Sequence, residues 1–439
     1  MPATKPFVWL LSLACVSTTF ASELSLALVN DKIKLVVAMA VDGHAHYRLD
    51  ASADLVTWDA IAPMSMVDGE AELELVANQG ESLPAAMFYR VIEDNSAENV
   101  LALPATPEDY EAVNWPAHLL TQDVLDSDNT PDDNPVTSEG ALLGRVLFYD
   151  KKLSANYTIS CASCHQQENG FSDPGTFSGG FDGRFTERNS MGLANSQFYG
   201  RTSFFWDERA ATLEDQVLEP IENEVEMGLT LEEAVNRVAS YSYYEQLFID
   251  AFGDAEVTRE RMALALAQFV RSIVSTESKY DEGEANGFAE FTAKELQGRQ
   301  LFNGRARCAT CHSGPNFVGT RIENNGLEYP YVDEGVGAVT GRDRDLGKFK
   351  MSSLRNIELT APYMHDGRFA TLAEVVEHYN SGVVDNPNLG APLRDADGVR
   401  QLNLTESEKA ALVAFMLTLT DENTRTNSKW SDPFAEGAQ

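Results

Sequence analysis

Two short stretches constrain this chain more than any other part of it. Residues 161–165 and residues 308–312 both read Cys-x-x-Cys-His. In this pattern two thiols can form thioether bonds to the vinyl groups of a haem, and the histidine that follows can bind the iron. The motif residues are Cys161, Cys164, His165, Cys308, Cys311 and His312. The sequence therefore predicts two covalent haem c groups, with His165 and His312 as iron ligands.

A zinc site and a redox-active dithiol are the alternatives for these motifs. Four cysteines and two histidines could build zinc sites, but nothing in zinc binding requires a histidine directly after each second cysteine. The remaining cysteine, Cys15, lies in the N-terminal segment. If that segment is removed on export, every cysteine left belongs to one of the two motifs, which favours haem attachment.

The N-terminus has the features of an export signal. An apolar run covers residues 7–16, and small residues follow it, which predicts a signal peptide of residues 1–21 and a periplasmic protein. A lipoprotein anchor on Cys15 is the less favoured alternative, because Ser12 stands where such signals usually have leucine. No later stretch has the roughly 18 uninterrupted apolar residues that a membrane span needs.

Acidic residues strongly outnumber basic ones in this chain. The 68 Asp and Glu residues against 33 Lys and Arg give a formal net charge of −35. A surface of this charge repels nucleic acids and anionic membranes, so neither is expected as a partner. The charge fits a basic partner protein, a salty environment or an acidic surface that is simply solvated.

The N-terminal part of the chain is rich in strand patterns. Short β-branched or alternating runs are separated by turn formers such as Asp42-Gly43, which predicts a small all-β, sandwich-like domain over residues 22–100. The predicted strands cover residues 24–29, 33–38, 46–49, 71–76 and 86–92. Residues 101–135 are rich in Pro, Asp and Asn and read as a linker.

Helical patterns dominate the rest, so we expect a mainly α protein with two cytochrome c-like haem domains. The first haem domain is predicted at residues 136–285, the second at 286–425 and a C-terminal tail at 426–439. The predicted helices cover residues 140–148, 212–218, 230–239, 243–252, 258–275, 292–302, 371–379 and 405–419. Leu-Phe precedes each haem motif, at residues 147–148 and 301–302, which indicates a duplicated domain.

Several further motifs are shared with one known family. They are Gly170-Phe171-Ser172-Asp173, Arg188-Asn189, Phe205-Trp206-Asp207-Glu208-Arg209-Ala210, Leu213-Glu214-Asp215-Gln216, Pro220, Val225-Glu226-Met227-Gly228, Leu354-Arg355-Asn356 and Thr360-Ala361-Pro362-Tyr363-Met364-His365-Asp366-Gly367. With the two haem motifs, this set resembles the bacterial di-haem cytochrome c peroxidase and MauG family over about residues 105–425. The resemblance implies that peroxide reacts at the first haem and that the second haem passes electrons to it.

The same resemblance implies roles for four residues around the first haem. Trp206 matches a tryptophan between the two haems that relays electrons, with an ordinary core tryptophan as the alternative. Glu226 matches the distal acid, since a carboxylate in an apolar pocket can take a proton from one peroxide oxygen and return it to the other. Gln216 and Pro220 match positions that line the same pocket.

A calcium ion between the two haem domains is also implied. Asn189 matches its side-chain ligand, and Thr360 and Pro362 match its backbone carbonyl ligands. Amide and carbonyl oxygens are suitable ligands for Ca²⁺. Because the ligands come from both halves, the ion would hold the two domains together.

The chain departs from the usual peroxidase pattern at the first haem. Many members carry a histidine after the first motif that must leave before peroxide binds, but this chain has no histidine between its two motifs. By spacing, Phe181 takes that position and cannot bind iron, so we expect a five-coordinate, open first haem. Glu168, Asp173 and Met191 are the weaker candidates for a ligand there.

A second departure concerns the distal ligand of the second haem. Tyr379 aligns with the methionine of typical peroxidases, as in MauG-type enzymes, and a phenolate stabilises oxidised iron. His378, Met364 and Met351 remain alternatives, because imidazole and thioether also bind haem iron. His365 matches a family histidine that lies near this haem without binding it.

These features lead to one main hypothesis and two alternatives. The main hypothesis is a periplasmic di-haem c-type peroxidase that reduces hydrogen peroxide with electrons from a small redox protein, a cytochrome c or a cupredoxin. The second, favoured by Phe181 and Tyr379, is a MauG-like enzyme that uses peroxide to oxidise Trp or Tyr side chains of a partner protein. The third is a non-catalytic electron-transfer cytochrome, against which Glu226 argues. A homodimer is left open.

Overall fold

The structure is a computed structural model, and it describes part of the chain. The described residues are 22–29, 32–39, 45–52, 59–66, 70–75, 88–93, 100–104 and 108–435. They divide between two compact units. One unit comprises residues 1–103, 241–243 and 433–439, and the other comprises residues 104–240 and 244–432. The predicted signal peptide, residues 1–21, lies outside the described residues.

The first unit contains two antiparallel sheets. Their strands are β1 (Ser22–Val29), β2 (Lys32–Met39), β3 (Ala45–Ser52), β4 (Asp59–Met66), β5 (Glu70–Leu75) and β6 (Phe88–Glu93). One sheet has the order β1-β2-β5 and the other β4-β3-β6. All five predicted strands are present, but the sequence analysis missed β4. This strand contains Pro63, and proline is tolerated because β4 is an edge strand that pairs with β3 alone.

The second unit is mainly helical, as expected. The α-helices are Gln122–Leu125, Ser138–Tyr149, Cys161–Cys164, Leu213–Gln216, Glu219–Glu222, Leu231–Ser240, Ser242–Phe252, Arg259–Ser272, Lys279–Asn286, Ala293–Asn303, Val336–Thr340, Leu372–Glu377, Glu406–Leu417 and Glu422–Thr426. Short 3₁₀ turns are Ala117–Leu119, Lys151–Leu153, Gln167–Asn169, Ser196–Phe198, Cys308–Thr310, Asp343–Asp345, Ala391–Leu393 and Ser428–Trp430. Two-residue strands are β7 (Ile322–Glu323), β8 (Phe349–Lys350), β9 (Arg394–Asp395) and β10 (Gly398–Val399).

The predicted helices are all present, with some differences in their ends. The helix predicted at 212–218 is a single turn, Leu213–Gln216, and the one predicted at 258–275 ends at Ser272. The α-helix predicted at 371–379 ends at Glu377 and continues as a π-helical turn, His378–Gly382. Threonines at 292, 371 and 405 each form a capping box with a glutamate, which fixes the start of three helices.

The same helix crossing occurs twice in this unit, once before each haem motif. The crossing pairs are Ser138–Tyr149 with Arg259–Ser272, and Ala293–Asn303 with Glu406–Leu417. At the first crossing a Cβ built on Gly144 would lie 1.9 Å from the Ala265 carbonyl oxygen. At the second, a Cβ on Gly298 would lie 1.9 Å from the Ala411 carbonyl oxygen. Glycine therefore lets the backbones touch at equivalent places, which supports the predicted duplication.

Backbone hydrogen bonds join the two halves of the helical unit, the predicted haem domains of residues 136–285 and 286–425, around Trp206. The Asn189 amide donates to the His365 carbonyl at 2.7 Å, and the Lys350 amide donates to the Trp206 carbonyl at 2.8 Å. Both bonds run from the segment after the first motif to the segment after the second. Hydrogen bonds thus fix the segment after the first motif to the segment after the second.

The predicted linker and tail contain ordered contacts with the helical unit. The Tyr110 hydroxyl donates to the Lys429 carbonyl at 2.6 Å, and the buried Trp430 indole donates to Ser272 Oγ at 3.3 Å. Both segments therefore cover the first half of the unit in part.

Among the residues that the structure describes, no helix combines the length and the apolar character needed to cross a bilayer.

Candidate haem and peroxide site

A cavity of about 830 Å³ opens beside the first Cys-x-x-Cys-His motif. It is lined by residues that the sequence analysis assigned to the first haem and its surroundings, which are Cys161, Cys164, His165, Trp206, Gln216, Pro220 and Glu226. The predicted calcium ligand Asn189 also lines it. The fold therefore brings Glu226 into the same cavity as the first motif, although the two are far apart in the sequence.

Both motif histidines are oriented in the same way. His165 Nδ1 lies 2.9 Å from the Phe171 carbonyl oxygen, and His312 Nδ1 lies 3.2 Å from the Phe317 carbonyl oxygen. A carbonyl only accepts, so Nδ1 carries the hydrogen and Nε2 is left with its lone pair. Burial lowers the pKa of both rings, which keeps them neutral. A neutral imidazole fixed through Nδ1 is the form that binds a metal.

The motif cysteines are half-buried free thiols. They form no disulfide, and burial raises the pKa of Cys161 and Cys308 to about 12 and that of Cys164 to about 11. A redox-active dithiol needs a lowered thiol pKa, so this environment does not suit that alternative. Within the described ranges, the two motifs included, no three His, Cys, Asp or Glu side chains come together as metal ligands.

Two polar groups in the cavity fit a haem. The Ser352 hydroxyl is buried and, among the described residues, has no hydrogen-bond partner. The Lys350 amine also lines the cavity, and burial lowers its pKa to about 7. A haem brings two carboxylates, which could accept from the hydroxyl and pair with the ammonium. Together with the thiols and His165, the cavity has the donor set that a covalent haem requires.

The Glu226 carboxyl is held in the cavity by the approach of two loops. The Phe181 amide donates to the Glu226 carbonyl at 2.9 Å. A Cβ on Gly180 would lie 1.6 Å from the Val225 carbonyl oxygen, so only glycine allows this approach. Burial raises the pKa of the Glu226 carboxyl, and the nearby Arg209 opposes that rise. A carboxyl with a raised pKa can be both a proton acceptor and a proton donor near neutral pH.

Phe181, which the spacing assigned to the open side of the first haem, is not among the residues that line the cavity. Its ring packs beside Gly228, where an added Cβ would lie 2.3 Å from the ring. From the same loop, Phe185 lines the cavity together with Thr186, Glu187 and Arg188, and it is 67% exposed. The open first haem stays a prediction.

Two of the three weaker candidates for a first-haem ligand are poorly placed for that role. Glu168 is exposed, and the Asp173 carboxylate accepts from Ser178 Oγ at 2.7 Å. Met191 lines the cavity and stays an alternative.

Trp206 lies at the interface between the halves. Its indole Nε1 donates to the Asn189 carbonyl at 2.8 Å, and its ring centroid is 6.5 Å from that of His365. The His365 ring in turn stacks on Phe349 with centroids 3.8 Å apart. The tryptophan is thus fixed from both halves, as a relay between two cofactors would have to be.

The three predicted calcium ligands lie near the same interface. The Asn189 amide nitrogen donates to the Gly175 carbonyl at 3.0 Å, which turns its Oδ1 away from that carbonyl. The Thr360 methyl contacts the first half, 3.0 Å from a Cβ built on Gly170. Pro362 follows Thr360 in the same loop. The amide orientation fits an oxygen ligand, and the calcium site stays a prediction.

Tyr379 lies beside the second motif. It belongs to the π-helical turn His378–Gly382, a rare geometry that is frequent at functional sites. Burial raises the pKa of Tyr379 to about 12, and the polar side chain of Asn325 opposes the rise. The charges of the Cys311 and Cys308 thiols raise this pKa further, so the phenol lies near the second haem attachment site.

The alternative ligands of the second haem are occupied elsewhere. His378 Nε2 donates to the Asn325 carbonyl at 3.0 Å, and the Met364 sulfur accepts from Asn325 Nδ2 at 3.3 Å. Met351 packs on Gly319, where an added Cβ would lie 2.3 Å from its methyl carbon. These contacts favour Tyr379 as the ligand on geometric grounds.

Sequence reasoning missed three residues that shape the two sites: Asn325, Lys350 and Ser352. All belong to or follow the long aperiodic loop after the second motif. Such length was a signal that the loop builds a site, but which side chains it would contribute depends on contacts far along the chain.

The comparisons with known proteins agree with this site. A sequence profile described as di-haem cytochrome c peroxidase matches residues 138–287. The cytochrome c551 peroxidase of Nitrosomonas europaea is 37% identical over 297 residues, covering 66% of this chain and 82% of that protein. The methylamine utilization protein MauG of Methylophilus methylotrophus is 32% identical over 312 residues, covering 70% of this chain and 90% of that protein.

Solved structures show the same relationship. A MauG-like protein associated with microbial copper homeostasis matches with a TM-score of 0.64 and 36% identity, covering 73% of this chain and 99% of that one. The diheme peroxidase BthA of Burkholderia thailandensis matches with a TM-score of 0.56 at 20% identity, which supports the fold alone. The chain therefore belongs to the di-haem cytochrome c peroxidase family, in which the MauG proteins are also found.

Proposed function

We propose that this protein is a di-haem c-type peroxidase that reduces hydrogen peroxide at an open first haem, with electrons relayed from the second. The observation that carries the proposal is the position of Glu226, a carboxyl of raised pKa in the same cavity as Cys161, Cys164 and His165. Relatives named cytochrome c peroxidase support it. An electron-transfer cytochrome without catalysis would have no use for such an acid.

The residues of the cavity each have a task in this proposal. Haem iron, when bound through the first motif, supplies the redox chemistry that peroxide reduction needs. Glu226 accepts a proton from one peroxide oxygen and returns it to the other, so that one oxygen leaves as water. Gln216 is placed to hydrogen-bond the peroxide, and Pro220 limits the shape of the pocket.

Electrons would reach this cavity through Trp206. The indole donates to the Asn189 carbonyl, and the Trp206 backbone carbonyl accepts from the Lys350 amide. The residue is thus held between the halves, so an electron could pass from the second haem domain to the first. We expect the donor to be a small redox protein, a cytochrome c or a cupredoxin. A basic face on that donor would complement the net charge of −35.

A MauG-like oxidation of Trp or Tyr residues in a partner protein is the second candidate function. Tyr379 beside Cys308 and Cys311 favours it, because a phenolate ligand stabilises oxidised rather than reduced iron. A haem ligated in this way would share stored oxidising equivalents with the first, instead of serving as a high-potential electron acceptor. Relatives named MauG are consistent with this candidate.

Several finer predictions belong to the same proposal. We expect two haem c domains with Ca²⁺ bound by Asn189, Thr360 and Pro362 between them. We also expect export to the periplasm through the signal peptide of residues 1–21, and a separate β domain ahead of the haem domains. A homodimer is compatible with these expectations.

One experiment separates the two candidate functions. The diferric holoprotein is mixed with one equivalent of hydrogen peroxide in a stopped-flow spectrometer, with and without reduced cytochrome c. Fast turnover that requires the reduced donor supports the peroxidase. A long-lived oxidised spectrum in the absence of donor, with slow consumption of cytochrome c, supports the MauG-like enzyme. No spectral change with peroxide would overturn both.

A further inference from the structure

Tyr199 is a buried tyrosine that lines the same cavity and has no role in the chemistry described so far. It is 2% exposed, and its hydroxyl donates a short hydrogen bond to the Glu208 carboxylate. Burial raises the pKa of Tyr199, and the Glu208 carboxylate raises it further. In the resting protein the proton therefore stays on the phenol, with a strong acceptor already in contact.

Glu208 is held in place by Arg201, and its backbone has a strained conformation. Its carboxylate accepts from Arg201 Nε at 2.6 Å and from a second nitrogen of the same guanidinium, while the carboxyl side chain is only 6% exposed. Its φ is +57°, and Thr202 and Phe205 in the same loop have φ of +60° and +66°. Non-glycine residues with such φ values are strained, and they cluster at functional sites.

Lys350 places its amine against the ring face of the tyrosine. Its Nζ lies 3.6 Å from the Tyr199 ring centroid and donates to the Ser203 carbonyl at 3.2 Å. Burial lowers the pKa of this amine to about 7, so near neutral pH only the protonated fraction of the molecules opposes a positive charge on the ring. In either form a phenol that has lost an electron is a strong acid, so the hydroxyl proton of Tyr199 leaves with the electron, and Glu208 is in position to take it.

Trp206 differs from Tyr199 in this respect. Its indole N–H donates to the backbone carbonyl of Asn189, and an amide carbonyl is too weak a base to take a proton from it. An oxidised Trp206 would keep its proton and its positive charge. Two aromatic residues in one cavity thus offer two modes of electron transfer, one with proton transfer and one without.

We propose that Tyr199 and Glu208 form a proton-coupled redox pair that supplies electrons to the peroxide-oxidised cavity, which extends the peroxidase function proposed above. One electron leaves Tyr199 for the oxidised centre while the hydroxyl proton crosses to Glu208, giving a neutral tyrosyl radical and a carboxylic acid. An electron from the donor protein then reduces the radical as the proton returns. Hydrogen peroxide is the oxidant, and its reduction to two waters takes two electrons, which pass through the pair in two such cycles, and two protons, which come from solvent because the pair's own proton returns to Tyr199.

The test is rapid-freeze electron paramagnetic resonance of the holoprotein after hydrogen peroxide is added without donor. Protein grown with ring-deuterated tyrosine identifies a tyrosyl signal by its narrowing. We expect this signal in the wild type, its loss in Tyr199→Phe, and at least a severalfold lower yield in Glu208→Gln, because an amide cannot accept the proton.

Tyr244 provides the matched control. It is also buried and donates to a carboxylate, Asp150, at 2.8 Å, but it lies outside the cavity lining. Tyr244→Phe should keep the radical signal. Two outcomes would overturn the redox pair and leave the peroxidase proposal standing. One is a tyrosyl signal that persists in Tyr199→Phe. The other is a wild type whose absorption spectrum responds to peroxide but which gives no tyrosyl signal. A wild type that does not respond to peroxide would overturn both.

Discussion

Asn325 and His378 are joined by a hydrogen bond near the second haem motif, in which His378 Nε2 donates to the Asn325 backbone carbonyl at 3.0 Å. The side-chain nitrogen of the same asparagine donates to the Met364 sulfur at 3.3 Å. One residue thus holds two of the candidate ligands of the second haem by atoms that iron would need. The phenol of Tyr379 lies close enough to the Cys311 and Cys308 thiols for their charges to raise its pKa.

This arrangement predicts that Tyr379, not His378, determines the spectrum of the second haem. Tyr379→Phe removes the only oxygen atom that the side chain can offer, so the ferric low-spin resonance of that haem should be lost or replaced. His378→Phe should leave the resonance in place, since its ring is bonded to Asn325. Electron paramagnetic resonance of the diferric proteins makes the comparison. An unaltered low-spin signal in Tyr379→Phe would exclude the phenol as ligand.

The raised pKa of Glu226 leads to a prediction on turnover. Glu226→Gln should bind peroxide but turn over roughly a hundredfold more slowly or worse, because an amide cannot shuttle a proton. Glu222→Gln is the control, since Glu222 is an exposed neighbour outside the cavity lining. Steady-state peroxide consumption with saturating donor measures the difference, and equal rates in Glu226→Gln and the wild type would remove Glu226 from the mechanism.

The pH dependence of peroxide turnover follows from the direction in which the pKa of Glu226 is shifted. Only the ionised carboxylate can accept the first proton, so activity is lost as pH falls through the pKa of Glu226. Since burial raises that pKa, the acid limb of kcat/KM should lie above the value of about 4.3 that an ordinary glutamate would give. The limb should be missing from the residual activity of Glu226→Gln. A wild-type limb at or below 4.3 would contradict the assignment.

The sequence was sufficient to find residues that stand in or near short motifs. Each of them lies within a few residues of a recognisable pattern, and the fold brings them to one cavity: Cys161, Cys164, His165, Trp206, Gln216, Pro220 and Glu226. The sequence was insufficient for Asn325, Lys350 and Ser352, which take part through contacts with segments distant in sequence. Tyr379 was predicted inside an α-helix of residues 371–379, whereas the chain there forms a π-helical turn.

Calcium binding predicts a stabilisation that depends on Asn189. If Asn189 supplies a ligand, Ca²⁺ at about 100 times its Kd should stabilise the fold by about 2.7 kcal/mol, which raises the melting temperature. Asn189→Ala should lose this response after treatment with a chelator. Asn236→Ala, at an exposed position on the Leu231–Ser240 helix, should keep it. Thermal melting with and without added Ca²⁺ tests the prediction, and an equal response in all three proteins would place the ion elsewhere.

The buried pair of Arg355 and Asp281 predicts a large loss of stability when it is broken. Arg355 donates to both carboxylate oxygens at 2.8 and 2.9 Å, and the two side chains are 1% and 3% exposed. Arg355→Met takes the guanidinium away from a buried carboxylate, which keeps only its hydrogen bonds with His118 and Ser278, and should cost roughly 3–5 kcal/mol of the free energy of unfolding. Arg259→Met removes an exposed ion pair and should cost nothing measurable. Urea unfolding at neutral pH compares the two variants, and equal losses would argue against the buried pair.

The same pair sets the direction of the acid response. Burial alone would raise the pKa of Asp281, but hydrogen bonds from His118 and Arg355 hold it well below its usual range. Its contribution to stability is therefore complete above the unfolded-state pKa of about 3.9 and is lost as pH falls below that value. When the pH is lowered from neutral to below about 3.9, the free energy of unfolding should fall less in Arg355→Met than in the wild type.

The repeated helix crossing predicts that one added methyl group destabilises either half. Gly144→Ala and Gly298→Ala place a carbon 1.9 Å from a backbone carbonyl oxygen of the opposing helix, so the two helices must separate. The expected cost is about 1–3 kcal/mol, although alanine in a helix interior would otherwise gain roughly 1 kcal/mol over glycine. Lys294→Ala, an exposed change on the same helix as Gly298, is the control.

The helices that contain Gly144 and Gly298 each lead into a haem motif. Haem content per chain should therefore fall only at the motif of the altered half. Absorption and urea unfolding report both effects, and alanine variants as stable as the wild type would show that the helices do not need this contact.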